Sequence, residues 1–129
     1  MKKVLKVIIC FLFLFIIVGC SKEKTEKTEK NIQVIIIDEK SNELYNKSIQ
    51  TPANKIVDVL KNENLSLKIE DGPYGAYIMS LMDLEQKNDK DGTYYWAYYI
   101  NGKYAEVGIS NCKIKDGDTY KFVYEFYNN

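Results

Sequence analysis

The chain has 129 residues, with 18 lysine or arginine side chains against 18 aspartates and glutamates, and no histidine. All of those bases are lysine, so no imidazole or guanidinium chemistry is open to it. A Ser-His-Asp or Cys-His arrangement cannot be built, and the even charge leaves no basic stripe to track a phosphate backbone, which excludes nucleic acid as a partner.

Lys2, Lys3 and Lys6 precede an unbroken apolar run, Val7 to Val18. Twelve residues make a helix of roughly 18 Å, short of the ~30 Å hydrocarbon core, so a signal peptide over 1–19 is the expectation, with no membrane span. The ending "IIVGC" resembles a bacterial lipobox, with Gly19 before the cleavage point and Cys20 as the lipid acceptor. The alternative is a plain secretory signal with an incidental cysteine. The resemblance implies a lipidated lipoprotein on the extracytoplasmic face of the cell membrane. Loss of residues 1–19 leaves 110 residues, with 15 lysines against 18 acids. Cys10 leaves with the signal and Cys20 is acylated, so Cys112 is the one free thiol and no internal disulfide forms. A zinc site is excluded on the same count.

Residues 20–31 carry a Lys-Thr-Glu tract that cannot bury enough surface to order itself. It reads as a charged tether, with a short helix as the minor alternative. The globular domain is expected over 32–129. "IQVIIID", 32–38, reads as a buried strand and "NELYNKSIQ", 42–50, as a weaker one returning from a hairpin loop. Thr51-Pro52 opens the one helix signal, Ile56, Val57, Val59 and Leu60 give its apolar face, and Asn62 to Asn64 end it. "LSLKIE", 65–70, alternates as a half-buried strand does. "DGPYG", 71–75, is a turn by its chemistry. "AYIMSLMDL", 76–84, fits either a strand or a short helix, and "EQKNDKDG", 85–92, reads as a polar loop. Residues 83–92 are acidic but miss the calcium-loop spacing.

"TYYWAYYINGKY", 93–104, holds six aromatic rings in twelve residues and the chain's single tryptophan. Alternation places Tyr94, Trp96, Tyr98 and Ile100 on one face, and Tyr95, Ala97, Tyr99 and Asn101 on the other. Two readings stand: a core strand with amphipathic cover, or an aromatic platform for a ligand. Asn101-Gly102 is a strong hairpin signal, and "YAEVGIS", 104–110, is expected to return as a strand. "KDGD", 115–118, turns into a last strand, 119–127, with Tyr120, Phe122, Tyr124 and Phe126 on one face. Strands dominate with one helix early, so the class is α+β. No pair of carboxylates and no glycine-rich phosphate loop stands out, so binding is expected and catalysis is not.

The succession "TPANKIVDVLK", "YGAYIMSLM", "YYWAYYINGK" and "EVGISNCKIKDGDTYKFVY" resembles the transcobalamin-like C-terminal domain, the small β-rich unit that closes over cobalamin in the cobalamin carriers. The likeness covers about residues 34–127. It rests on a strand tryptophan, Asn-Gly, a Gly-Ile pair and Asp-Gly-Asp in order. It implies a compact β-grasp-like domain of small, mostly antiparallel sheets with one helix. In the carriers, the segment matching Gly75 to Ser80 and the loop before the Gly-Ile pair approach the corrin ring. Carried across, the ligand-binding set is Tyr77, Tyr104, Ala105, Glu106, Val107 and Gly108. Trp96 matches the family tryptophan and is expected to anchor the site from below, with Tyr98 on its face; the alternative is a plain core tryptophan. Cys112 falls where the family has an aromatic residue and is expected to be a buried small hydrophobe. The implied ligand is cobalamin or another corrinoid, with no required cofactor and no protein ligand to a metal. The implied partners are an importer or a second binding chain, because the carriers complete the site with a helical domain that has no counterpart here. The competing expectation is a cell-surface module that binds a protein or a polymer and takes no cofactor.

Overall fold

The computed structural model describes residues 28–128. The expected signal peptide, Cys20 and most of the tether lie outside the described residues.

Among the described residues, nine strands and one α-helix follow in order. They are β1 (Lys30–Ile37), β2 (Glu43–Thr51), α1 (Ile56–Asn62), β3 (Lys68–Glu70), β4 (Tyr77–Leu81), β5 (Leu84–Glu85), β6 (Lys87–Asn88), β7 (Gly92–Ile100), β8 (Lys103–Tyr104) and β9 (Thr119–Asn128). A 3₁₀ turn, Ile109–Asn111, stands between β8 and β9. The main sheet runs β2-β1-β9-β7-β6, with β8 also paired to β7, and β3-β4-β5 form a second sheet. The β1–β9 pair is parallel and the remaining pairs are antiparallel. The described residues therefore form a β-rich fold with one α-helix, and its larger sheet is mixed.

The β-branched run of β1 explains its central place, since such side chains pack well on a pleated surface. Ile32, Val34 and Ile36 share the inner face with Tyr120, Phe122 and Tyr124 of β9 and with Trp96 and Tyr98 of β7, all buried. Helix α1 adds Ile56, Val57, Val59 and Leu60 to the same core. On the outer face Glu125 accepts hydrogen bonds from two neighbours, Tyr95 at 2.7 Å and Tyr99 at 2.8 Å. The aromatic strand is thus core on one face and tyrosine cover around a shared carboxylate on the other.

Turn chemistry sets the register. Asn101 and Gly102 both take positive φ, 51° and 81°, the demand of a two-residue primed turn. Asn101 then ties the turn to β9, donating its N–H to the Thr119 carbonyl and accepting from the Thr119 N–H through Oδ1, each at 2.9 Å.

Several expectations are corrected. The helix begins at Ile56, beyond Thr51-Pro52, because Thr51 ends β2 and its hydroxyl accepts the Ala53 N–H at 3.1 Å. Lys55 is extended and bridges to Lys113, and the Cys112 carbonyl takes the first helical N–H, that of Ile56, at 3.1 Å. The strand expected over 65–70 is confined to 68–70, since Asn64 and Ser66 adopt left-handed φ of 55°. The expected loop 85–92 carries the end of β5, all of β6 and the first residue of β7. The strand expected over 104–110 stops at Tyr104, for a reason given below. β1 starts at Lys30, two residues before the expected boundary.

Tyr120 is fully buried; its hydroxyl accepts the Lys115 N–H at 3.1 Å and donates to Asp118 at 3.3 Å. Burial pushes this phenol from 10.0 up to about 12. The neutral form is favoured by folding, so its contribution is fully present below the unfolded value near 10 and is lost as pH rises through about 12. Tyr120→Phe is expected to lower stability by about 1 kcal/mol at neutral pH. It should also flatten the alkaline fall, as measured by urea unfolding at a series of pH values from 8 to 12.

Candidate functional site

Two chain segments distant in sequence meet above β7. The first is the 72–77 turn leading into β4. The second is the 104–109 loop leaving β8. Three hydrogen bonds join them: Gly108 N–H to the Tyr74 carbonyl at 2.9 Å, Ile109 N–H to the Ala76 carbonyl at 2.7 Å, and Ala76 N–H to the Ser110 hydroxyl at 2.9 Å.

The backbones touch at a pair of glycines. A Cβ on Gly108 would lie 2.4 Å from the Gly75 carbonyl carbon, and one on Gly75 would lie 2.7 Å from the Asn111 side-chain nitrogen. Gly75 also sits at φ +104°, a conformation L side chains rarely adopt. This crossing explains why the returning strand ends at Tyr104. Beyond Ala105, whose N–H still bonds the Tyr98 carbonyl at 3.0 Å, the chain leaves β7 to meet the 72–77 turn.

Between the two segments lies a cavity of about 250 Å³. Its floor is Trp96 and Tyr98 with Ala76, Ile78 and Ile109, all buried. The Trp96 indole N–H donates to the Leu84 carbonyl at 2.8 Å, which fixes the ring. The Tyr98 hydroxyl donates to the Val107 carbonyl and so holds the lip of the 104–109 loop from beneath. Burial, with Cys112 next in effect, pushes Tyr98 well above the usual phenol range, and burial likewise pushes the Cys112 thiol up. Both groups are therefore neutral at physiological pH. Cys112 is buried, as expected of a small hydrophobe.

The rim is aromatic and exposed. Tyr74 is 80% exposed and Tyr104 63%, with Tyr77 and Val107 between them. Tyr104 is braced edge-on against Tyr99, ring centroids 5.8 Å apart. Tyr77 is pushed above its ordinary value by desolvation and by Glu70 beside its hydroxyl. Among the described residues, Glu106 is the one charged residue in the lining, and no lysine lines it.

All eight sequence-derived ligand residues, Tyr77, Trp96, Tyr98, Tyr104, Ala105, Glu106, Val107 and Gly108, border this one cavity. Outside that set and the Gly75 to Ser80 segment, the lining adds Gly72, Pro73, Tyr74, Ala97 and Ile109, which the sequence did not single out. A tyrosine placed between proline and glycine in a turn has no core within reach, and that was the available signal. A larger hollow of about 650 Å³ near Lys30 and Asn62 is lined, among the described residues, by no aromatic ring. Among the described residues, no group of three or more Cys, Asp and Glu side chains gathers as a metal site.

A domain family of unknown function, DUF4430, matches residues 53–125, more than half of the chain. The chain belongs to that family. Residues 53–125 include every residue bordering the cavity, from Gly72 to Ile109. No curated protein sequence matches this DUF4430 chain. Among solved structures it is similar to a candidate metal-binding protein from Ruminococcus gnavus ATCC 29149, at 24% identity and a TM-score of 0.66. That match covers 78% of this chain and 99% of the other. It is also similar to haptocorrin in complex with Cbi, at 14% identity and a TM-score of 0.59, over 85% of this chain and 28% of haptocorrin. At these identities the likeness is one of fold, and it supports a transcobalamin-like fold for the DUF4430 domain.

Gly108→Ala is expected to force the two segments apart and to cost about 1–3 kcal/mol. Gly72→Ala, whose added Cβ would meet its nearest atom at 3.2 Å, should cost less. Thermal unfolding of both variants checks the order.

Proposed function

We propose that the protein is a lipoprotein held on the extracytoplasmic face of the cell membrane through Cys20, and that its DUF4430 domain captures cobalamin or another corrinoid for transfer to an importer, without catalysing a reaction. The observation that carries the ligand reading is the placement of exposed apolar groups. Among the described residues seven large hydrophobic side chains are exposed, and four of them, Tyr74, Tyr77, Tyr104 and Val107, rim the same cavity over Trp96. Exposed apolar groups gathered around a concavity mark a binding surface, whereas scattered ones need no explanation. Rigid aromatic rings also give large contact area at low entropic cost.

Size decides how a ligand would sit. Pockets that enclose a drug-sized ligand run to roughly 300–1,000 Å³, and this cavity holds about 250 Å³. A corrin ring would rest on the tyrosine rim with one edge in the cavity and its far face open. That geometry fits a capture domain that releases to a second chain. The haptocorrin neighbour, solved with Cbi, supports the ligand class, and the β-grasp-like arrangement is the same scaffold in this reading.

Equilibrium dialysis of the full-length protein in detergent micelles, against cyanocobalamin and cobinamide, tests the ligand. Retention with a Kd in the micromolar range or below is expected, weakened about tenfold or more, near 1.4 kcal/mol, by Tyr77→Ala or Tyr104→Ala. No retention at millimolar ligand would overturn the corrinoid reading and leave the rim as a protein or polymer contact. Anchoring is tested separately: labelled fatty acid should enter the wild-type protein and not Cys20→Ser.

A further inference from the structure

The cavity opens on a break in the sheet edge. β6 pairs with β7 only at Lys87↔Tyr94 and Asn88↔Thr93, and β8 pairs with it only at Tyr99↔Tyr104 and Ile100↔Lys103. Among the described residues, no strand lies beside β7 on that side between Tyr94 and Tyr99.

Antiparallel pairing directs the N–H and C=O of alternate residues to opposite edges. The Asn101 N–H bonds Thr119 on β9, while the Tyr98 carbonyl accepts Ala105 on the other side. Tyr95, Ala97 and Tyr99 therefore spend their main-chain groups on β9. The N–H and C=O of Trp96 and the N–H of Tyr98 point along the break. The cavity is lined there by Trp96, Ala97 and Tyr98.

We propose that this site selects neutral, carboxamide-bearing ligands over their carboxylate counterparts, with the strand-edge main chain of Trp96 and Tyr98 as the polar recognition element and Glu106 as the residue that rejects anions. The proposal rests on the corrinoid reading above, since the rim of a corrin carries primary carboxamides. A free strand edge alternates donor and acceptor, and an amide supplies both partners. A carboxylate supplies acceptors alone, so one of its oxygens would face the Trp96 carbonyl. It would also approach Glu106, with no lysine among the described residues of the lining to offset it. Like charges brought together in a site of this kind act as a specificity device by disfavouring the wrong ligand.

The test compares cobinamide with cobinamide whose side-chain amides have been hydrolysed to carboxylates, by equilibrium dialysis of the full-length protein at low and high salt. The wild type should retain the amide form at least about tenfold more tightly. Salt should narrow that ratio by screening, and Glu106→Gln should narrow it at low salt. Equal retention of both forms, or preference for the carboxylate, overturns the selectivity and leaves corrinoid capture standing. A ratio unmoved by Glu106→Gln overturns the part given to Glu106. Retention of neither form overturns both readings together.

Discussion

The contact of Gly75 with Gly108 is the constraint from which the binding face follows. Two backbones approach so closely there that Gly108 has no room for a side chain, while one on Gly75, held at φ +104°, would run into the Asn111 side chain. Because the 104–109 loop must reach that point, it cannot remain paired with β7, and a strip of strand edge is left uncovered. Because the 72–77 turn must reach it, Tyr74 and Tyr77 are carried to the top of the molecule instead of into the core. The hydrogen bonds on either side, from Gly108 to Tyr74 and from Ile109 to Ala76, convert a steric meeting into a fixed one. The cavity lies between the two segments, over Trp96 and Tyr98.

Beneath it the main sheet supplies rigidity. β7 and β9 pair over nine residues, and the β1–β9 pairing extends the same layer to β1 and β2. Trp96 and Tyr98 lie on this layer with their polar atoms used: one indole N–H on Leu84, one hydroxyl on Val107. A buried polar group without a partner is costly, so these bonds fix the floor and hold the loop above it at the same time. The second sheet is tied on in the same way, through the Tyr124 hydroxyl on the Glu85 carbonyl at 2.6 Å.

Much of the scaffold could be read from the residues. β1 and β9 follow from β-branched and alternating runs, and the 101–102 turn follows from the two residue types that accept positive φ. These are local properties, and local properties are written in short stretches. The end of β8 is different. Nothing within Tyr104 to Ser110 says that the strand must break; the reason sits at Gly75, in another part of the chain. Thr51-Pro52 misleads for a related cause, because its capping chemistry is satisfied within a turn at Ala53 and the helix waits for the Cys112 carbonyl. The cavity-lining set was reached through family resemblance, while Tyr74 needed only the observation that a turn tyrosine has nowhere to hide. The gap in the sheet edge was not legible at all, since it is defined by where two short strands stop.

The bond from Trp96 to Leu84 has an optical consequence. One indole serves the whole chain, and it lies at the meeting of the main sheet, the second sheet and the cavity floor. Its near-ultraviolet emission therefore originates from a single, well-defined environment. Loosening of the second sheet would break the indole's hydrogen bond and shift that emission toward longer wavelength as water arrives. A chromophore resting on the tyrosine rim would instead drain it by energy transfer without moving its colour. The protein thus carries an internal reporter that separates an opening of the fold from the arrival of an absorbing guest.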